Sequence, residues 1–494
     1  MTATESPLTS IRPRWSADAW TVPLVSLVAA CVAASSNYFT DPLWMAREGV
    51  ALLHGGPVAH PDTWGWDPVA GNFIPTAPGW QVFLGLWTLA FGPVGVTIGG
   101  IIAVALSLAG LAWVARRCGA SSTAIAVAFL WLWAVQGALA SRAALPALAL
   151  WMVDGTWLLA WLRQATSQLP SRQRLIRSAV TQAAITTLGL WIHASWALFA
   201  PATAFGIALW ALLPQPGPRS LRLRLALWPM IATLLAISAG PAGLNAWSDA
   251  ARVQAQCAGL IVEWSPFPAQ STFWQVALIV IGSVLALIAG VSLRRAPAWH
   301  ETPIVALSLA TIASTGAAFF ALRFMFQAVV LAAPLLAALI TRLWTKMGRT
   351  RPADHRLGPL YLGRLLAFTF AVLLPWAGLQ VRTSPAVAPS PVVAALPSGC
   401  HLFADYAIAN EVLLLRPDVP VWFDGRLDYW GRQRITSYIR YMAGSNPTGP
   451  VPSGTTCVAA TASESALASS LSASHRWREA RRLRDVSLWL PAST

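Results

Sequence analysis

Long apolar runs separated by short polar connections recur along the first three quarters of the 494-residue chain. Runs near the ~20 residues needed to cross a bilayer fall at 20–36, 94–115, 121–140, 144–162, 178–193, 196–213, 225–243, 272–293, 303–320, 324–343 and 364–381. They predict a mainly α, polytopic membrane protein of about eleven transmembrane helices, with His193 dividing one long apolar stretch into two spans. Beyond Val381 the pattern changes. A Pro- and Ser-rich lead, 382–397, reads as an extended linker. Short strand-like runs then alternate with helical ones: His401–Tyr406, Ala407–Leu415, Val419–Asp424, Tyr429–Ala443, Thr456–Thr461, Glu464–Ser472 and Val486–Leu490. The alternation predicts a small α/β domain over 398–494 with a partly parallel sheet, following a multi-pass domain over 1–381.

Charge sets the expected orientation. With the N-terminus inside, the inner segments carry Arg12, Arg14, Arg116, Arg117, Arg163, Arg172, Arg174, Arg177, Arg219, Arg222, Arg224, Arg294, Arg295, Arg342, Lys346, Arg349, Arg351, Arg356 and Arg364. The outer inter-helix loops carry Arg47, Arg142, Arg252 and Arg323. This asymmetry predicts a cytoplasmic N-terminus and places the first loop, the Asn245–Gln270 loop and the tail outside a plasma membrane. The net charge of +15 is therefore a topological signal rather than a nucleic-acid surface. Only 11% of residues are charged, about half the share in soluble chains. Thr21–Ser36 is read as a retained first helix rather than a cleaved signal. The five cysteines show no close metal-type spacing. Cys400 and Cys457 both open strand-like runs outside the cytoplasm, where a disulfide and two buried thiols are equally consistent readings.

The first loop, 37–81, is long for a connection between helices and carries Asp41, Glu48, Asp62 and Asp67. Asp41 follows the first span closely, so it sits near the outer surface. It is either the cap of a helix opening at Pro42 or a general base or metal ligand. Asp62, after Pro61, is a turn residue or a second catalytic carboxylate. Glu48 falls seven residues after Asp41, near the same face of a helix over Pro42–Leu53. His54 and His60 are solvated loop histidines or ligands of a divalent metal. No cofactor is otherwise implied.

Further along, His193 lies at the outer end of a span between Trp191 and Trp196, either bonded to backbone or facing the first loop. Glu263 precedes Trp264 in the second long outer loop. Arg323 opens a late span on the outer side, against the charge trend, and so requires a carboxylate or phosphate partner. Arg142 is a similar case. Asp154 is the one charged residue well inside a span. In the tail, Asp424, Arg426 and Asp428 form either a turn held by an Asp–Arg pair or a set of substrate-binding groups.

Taken together, these residues resemble a group of bacterial multi-pass proteins related to the GT-C glycosyltransferases. The resemblance rests on Asp41, Gly49, Gly56, Asp62 and Trp64, then Pro78, Gly79 and Trp80, His193, and Gly240 with Pro241. It continues through Glu263–Pro266, Arg323, Pro334, Phe423–Gly425 and Asp428, in order along nearly the whole chain. It implies a GT-C-like fold and a polyprenyl-phosphate sugar donor delivered from the bilayer. The acceptor would be an exterior envelope polysaccharide, glycolipid or protein. By position it makes Asp41 the catalytic carboxylate, with Asp62 supporting it. Arg323 and Arg142 would pair with the donor phosphate, and His193, Glu263, Asp424 and Arg426 would bind substrate. Where relatives carry Asn-x-His, this chain has Trp191-Ile192-His193.

A second class is also consistent with the composition: a transporter, flippase or assembly subunit without chemistry of its own. A proton-coupled transporter usually carries several mid-span charges, and this chain offers Asp154 alone, which favours the enzyme.

Overall fold

The computed structural model describes residues 17–35, 40–134, 142–167, 171–212, 218–265, 298–349 and 358–492, with single positions between 282 and 288. In chain order the first helices are α1 (Ala17–Ala34), α2 (Asp41–Leu53), α3 (Pro78–Phe91), α4 (Val94–Arg117) and α5 (Ser122–Ala134). Next come α6 (Ala144–Ser167), α7 (Arg172–Ile192), α8 (Trp196–Leu212), α9 (Arg219–Ala236) and α10 (Ala246–Cys257). Then follow α11 (Ala298–Ala318), α12 (Arg323–Arg349) and α13 (Gly358–Arg382).

Among the described residues, six helices are long and apolar enough to cross a membrane: Val94–Arg117, Ala144–Thr166, Arg172–Ile192, Arg219–Ala239, Arg323–Met347 and Tyr361–Arg382. Four further expected spans fall on shorter apolar helices, Trp20–Ala34, Ser122–Leu132, Trp196–Leu212 and Ile304–Ala318. The expected span at 272–293 lies largely outside the described residues. The largest apolar core of the bundle almost fully encloses Leu108, Leu111, Phe129, Leu132 and Leu335, and a separate cluster joins Leu158, Leu162, Ile207, Trp210 and Leu225 of α6, α8 and α9. Lipid-side positions such as Leu106, Phe205, Leu235 and Phe368 stay exposed, as a bilayer solvent permits. The mid-span Asp154 is buried and accepts a 2.7 Å hydrogen bond from Gln182 Nε2 of α7, which supplies it with a polar partner.

The first loop is itself folded. α2 and α3 pack backbone to backbone: a Cβ at Gly49 would stand 1.8 Å from the Gln81 carbonyl oxygen, so only glycine allows the approach. Between these helices, β1 (His60–Pro61) and β2 (Asn72–Phe73) pair antiparallel.

In the tail, the expected linker is not wholly extended. Pro391 opens a short helix, α14 (Pro391–Ala395), as proline does readily at a first helical position. Its Val392 and Val393 are buried. Four strands follow, β3 (Leu402–Ala404), β4 (Cys457–Thr461), β5 (Trp477–Leu483) and β6 (Val486–Pro491), in spatial order β3-β4-β6-β5. The β3/β4 pair is parallel and the other two are antiparallel, so the sheet is partly parallel. Helices α15 (Tyr406–Leu415), α16 (Leu427–Met442) and α17 (Ser465–Ala473) pack around it.

One expected strand fails here, and one strand was not expected. Val419–Asp424 forms only isolated bridges from Val421 to Gly65 and Leu402, not a strand of the sheet. β5 has no apolar alternation, because as an edge strand it is exposed along most of its length. A disulfide joins Cys400 to Cys457 with Cα atoms 5.9 Å apart, within the reach of such a bridge. It links the loop before β3 to the start of its parallel neighbour.

The tail core extends into the first loop and α10. One cluster joins Trp44, Trp64 and Phe73 of the first loop to Val392, Leu402, Val412, Val421 and Leu488. A second joins Val253 and Cys257 of α10 to Phe423, Trp430, Ile435 and Trp489. The docked loops and the tail thus form one packed layer against the end of the helical bundle.

Candidate active site

Asp41 is the first residue of α2, and Thr40 occupies the capping position with no side-chain capping bond. The expectation that Asp41 caps this helix is therefore corrected. Pro42 sets the first turn, so the Asp41 carboxylate is released from backbone duty and turns instead towards Arg142. Arg142 Nη2 donates to Asp41 Oδ2 at 3.0 Å. The other arm, Nη1, donates to Glu263 Oε1 at 2.8 Å and Oε2 at 3.0 Å. One planar guanidinium thus spans two carboxylates drawn from two separate inter-helix segments, a geometry that arginine supports and lysine does not. The three side chains are 20–34% exposed, so the cluster lies at a surface rather than in a sealed core.

The tail presses on this cluster from its other side. A Cβ at Gly425 would sit 2.6 Å from Asp41 Oδ1, 2.8 Å from Trp44 Nε1 and 2.9 Å from Asn410 Nδ2. Asn410 in turn donates to Thr40 Oγ1 at 3.0 Å and accepts from Gly425 N at 2.9 Å. Burial pushes the Asp41 carboxyl above its ordinary range. Arg142 opposes that rise, while the charge of Glu263 adds to it.

His193 follows α7 in an extended conformation. Its Nδ1 accepts from the Ser195 backbone N–H at 3.0 Å, with Ser195 Oγ at 2.8 Å. This bond assigns the ring proton to Nε2. Burial, then the charges of Arg323 and Arg142, push the ring down to about 3, so it is neutral and offers an Nε2–H donor. The turn is anchored to the first loop through Ala194 N, which donates to Thr76 O at 2.7 Å. Gly79 packs under Trp191, where a Cβ would stand 2.9 Å from its carbonyl oxygen. The Gly240 segment lies against Leu190, and Trp191 Nε1 donates to Ala239 O at 3.2 Å.

Arg323 opens α12 because Leu322 N donates to Ser265 O at 2.9 Å, which registers the helix start against the Glu263–Trp264 turn. Its guanidinium stacks 4.0 Å from the Trp264 ring centroid. It makes no hydrogen bond or ion pair with the described residues. Pro266 of the same motif lies outside the described residues. Tyr406, at the start of α15, is 39% exposed. Burial raises its hydroxyl pKa, with further influence from Asp405, Asp41, Arg142 and Glu263. Sequence reasoning missed Tyr406, which looks like the end of a strand. Asp428 lies near the charges of Arg426 and Arg252, and burial pushes it up to about 6.

Three other expected site residues sit apart from this cluster in an enclosed joint. Arg426 Nη2 donates to Asp62 Oδ1 at 2.9 Å and to Asp424 Oδ2 at 2.6 Å, and all three side chains have no exposed surface. Trp430 Nε1 also donates to Asp424 at 3.2 Å. The Arg426 guanidinium stands 4.4 Å from the Trp64 ring centroid and 5.3 Å from those of Phe73 and Tyr429. Of the two readings of this segment, the Asp424–Arg426 pair is present in the structure, and it clamps the first loop to the tail. Nearby, the buried Glu48 accepts from or shares a proton with His60 Nε2 at 2.9 Å. Arg47 lies over Trp64 and is lowered to about 10, by burial first and then by the charge of Arg426.

As for a metal, the donor set does not fit one. Both carboxylates of the exposed cluster are already engaged by Arg142. Among the described residues, no group of three or more His, Cys, Asp or Glu side chains is placed to hold a metal ion.

No protein-family model matches the sequence, and no curated protein does. The fold, by contrast, is similar to solved structures. Archaeal oligosaccharyltransferase AglB from Archaeoglobus fulgidus, in complex with an inhibitory peptide and a dolichol-phosphate, aligns with a TM-score of 0.51 at 12% identity. That alignment spans 94% of this chain and 73% of AglB. The apo form of the Archaeoglobus fulgidus oligosaccharyltransferase gives 0.54 at 11% identity, over 92% and 71% of the two chains. The form tethered to an acceptor peptide containing the NVT sequon gives 0.50 at 10% identity, over 93% and 72%. AglB is a GT-C superfamily member. The chain accordingly has the fold of the GT-C glycosyltransferases.

Proposed function

We propose that this protein is an inverting membrane glycosyltransferase that moves a sugar from a lipid-phosphate donor onto an exterior acceptor of the cell envelope. The observation that carries the reading is the gathering of Asp41, Arg142, His193, Glu263 and Arg323, from five separate stretches of chain, around one surface cluster. The likeness to a protein solved with a dolichol-phosphate and with an acceptor peptide supports a donor and an acceptor of these kinds.

In this reading Asp41 takes the proton of the acceptor hydroxyl as that oxygen attacks the anomeric carbon. The new bond forms on one face of the sugar, and the bond to the phosphate oxygen breaks on the other. The electron pair leaves with the lipid phosphate, which Arg323 and the His193 Nε2–H receive as its charge grows. Glu263 and Arg142 hold Asp41 in place. Asp62, Asp424 and Arg426 are assigned a holding role, because their enclosed side chains leave no face for substrate.

Arg323→Lys keeps the positive charge but loses the planar fork and the stacking on Trp264. It is expected to raise the KM for the lipid-phosphate donor in a lipid-linked sugar transfer assay, with a smaller effect on the acceptor KM. An unchanged donor KM rejects Arg323 as the phosphate group's partner.

The reading also requires the cluster to face outwards. We infer a cytoplasmic N-terminus and an extracytoplasmic tail from the Arg asymmetry. Cysteines introduced near Gly71 and Ser453, both exposed, are expected to react with an impermeant reagent in intact cells. A cysteine near Ala353 is expected to stay unlabelled, and labelling there overturns the orientation.

A further inference from the structure

We propose that Arg142 is a built-in cation that occupies the place a divalent metal would take between Asp41 and Glu263, so that transfer proceeds without a metal at this centre. The proposal rests on the transferase reading for its catalytic half, while its binding half concerns the cluster alone.

The geometry is that of a filled site. Asp41 and Glu263 come from loops 222 residues apart, and without a cation between them their charges would repel. Arg142 meets one carboxylate with each arm, at 3.0 Å and at 2.8 and 3.0 Å. A small divalent cation such as Mg2+ asks for about six oxygens at roughly 2.0–2.1 Å in octahedral array. To reach both carboxylates it would have to displace the guanidinium. Were Arg142 to remain, a dication and a guanidinium would lie within a few ångströms and repel each other.

The surroundings lead to the same conclusion. The free side of Asp41, at Oδ1, is bordered by Gly425, the Trp44 indole N–H and the Asn410 amide nitrogen. These are hydrogen-bond donors or backbone, not oxygen ligands. His193 turns its Nδ1 lone pair to Ser195, which leaves Nε2 as a donor and not as a ligand. Arg323 adds a second positive charge close by. Arg142 and Arg323 thus stand with Asp41 and Glu263, and the Asp428 carboxylate also acts on Arg323. A covalently attached cation holds Asp41 in one orientation at any divalent ion concentration, and its fork fixes the plane of both carboxylates.

Mn2+ binding to the purified full-length protein, followed by electron paramagnetic resonance after exhaustive chelation, tests the binding half directly. No saturable Mn2+ site that depends on Asp41 or Glu263 is the expected result. One bound Mn2+ per chain that is lost in both Asp41→Asn and Glu263→Gln overturns the proposal, whatever the protein's activity. In the transfer assay, the same rate with excess chelator as with added Mn2+ is expected. A rate abolished by chelator and restored by Mn2+ overturns it equally. If no sugar transfer is detected with any lipid-linked donor, it is the transferase reading that fails, and the Mn2+ measurement still decides the occupancy of the site.

Discussion

Asp41→Asn is expected to lower turnover in a lipid-linked sugar transfer assay by roughly 10²–10⁴-fold, the usual size of a lost general base. The substitution changes little of the shape. Asn keeps a side-chain oxygen where Arg142 Nη2 now donates, and its amide nitrogen takes the place of Oδ1 beside the Trp44 and Asn410 donors. What disappears is the proton acceptor and its charge. The structural cost is small, because the Asp41–Arg142 pair is partly exposed, at 20% and 31%, and pairs of this kind contribute at most about 1 kcal/mol. Asp41 caps nothing, since Thr40 holds the capping position, so no helix end is lost either. The burial that raises the Asp41 pKa makes it a better base than a solvated carboxylate. Normal yield and thermal stability with a collapsed rate therefore identify chemistry at Asp41. A variant with full activity removes Asp41 from the reaction and leaves it as a tether for Arg142.

The members of this cluster were legible in the sequence for one reason. Arg142 and Arg323 are cations in connections that the charge asymmetry of the sequence predicts to be poor in them, and Asp41, His193 and Glu263 are polar groups at or beside the ends of apolar spans. Their pairing was not legible. Arg142 lies 101 residues from Asp41 and 121 from Glu263, and no local spacing encodes contacts of that range. The Asp41 cap failed on a one-residue shift, as helix starts often do. Tyr406 escaped notice because strand ends and helix starts look alike over a few residues. In the tail, β5 was invisible to an apolar pattern, because nothing packs over most of it. The short helix in the linker was written in Pro391, but the proline content of the segment as a whole argued for extension.

Arg426→Ala is expected to destabilise the tail and its docking on the first loop by about 3–5 kcal/mol, the usual cost of removing one partner from a buried ion cluster. Asp62 and Asp424 would remain as two enclosed carboxylates with no cation between them, each with no exposed side-chain surface. The aromatic groups around Arg426, Trp64 and Tyr429 among them, would lose their central contact as well. Neither carboxylate can reach water without opening the layer that joins Trp64 and Phe73 to the tail core. The loss should appear as early thermal unfolding and as faster proteolysis of the tail in detergent, with the helical bundle retained. Neutralising the whole cluster separates charge from shape: Asp62→Asn and Asp424→Asn combined with Arg426→Met should recover part of the lost stability, because no unpaired charge is left inside. A substrate-binding Arg426 predicts the reverse pattern, with stability unchanged and the KM raised, and that result would return Arg426 and Asp424 to the binding site.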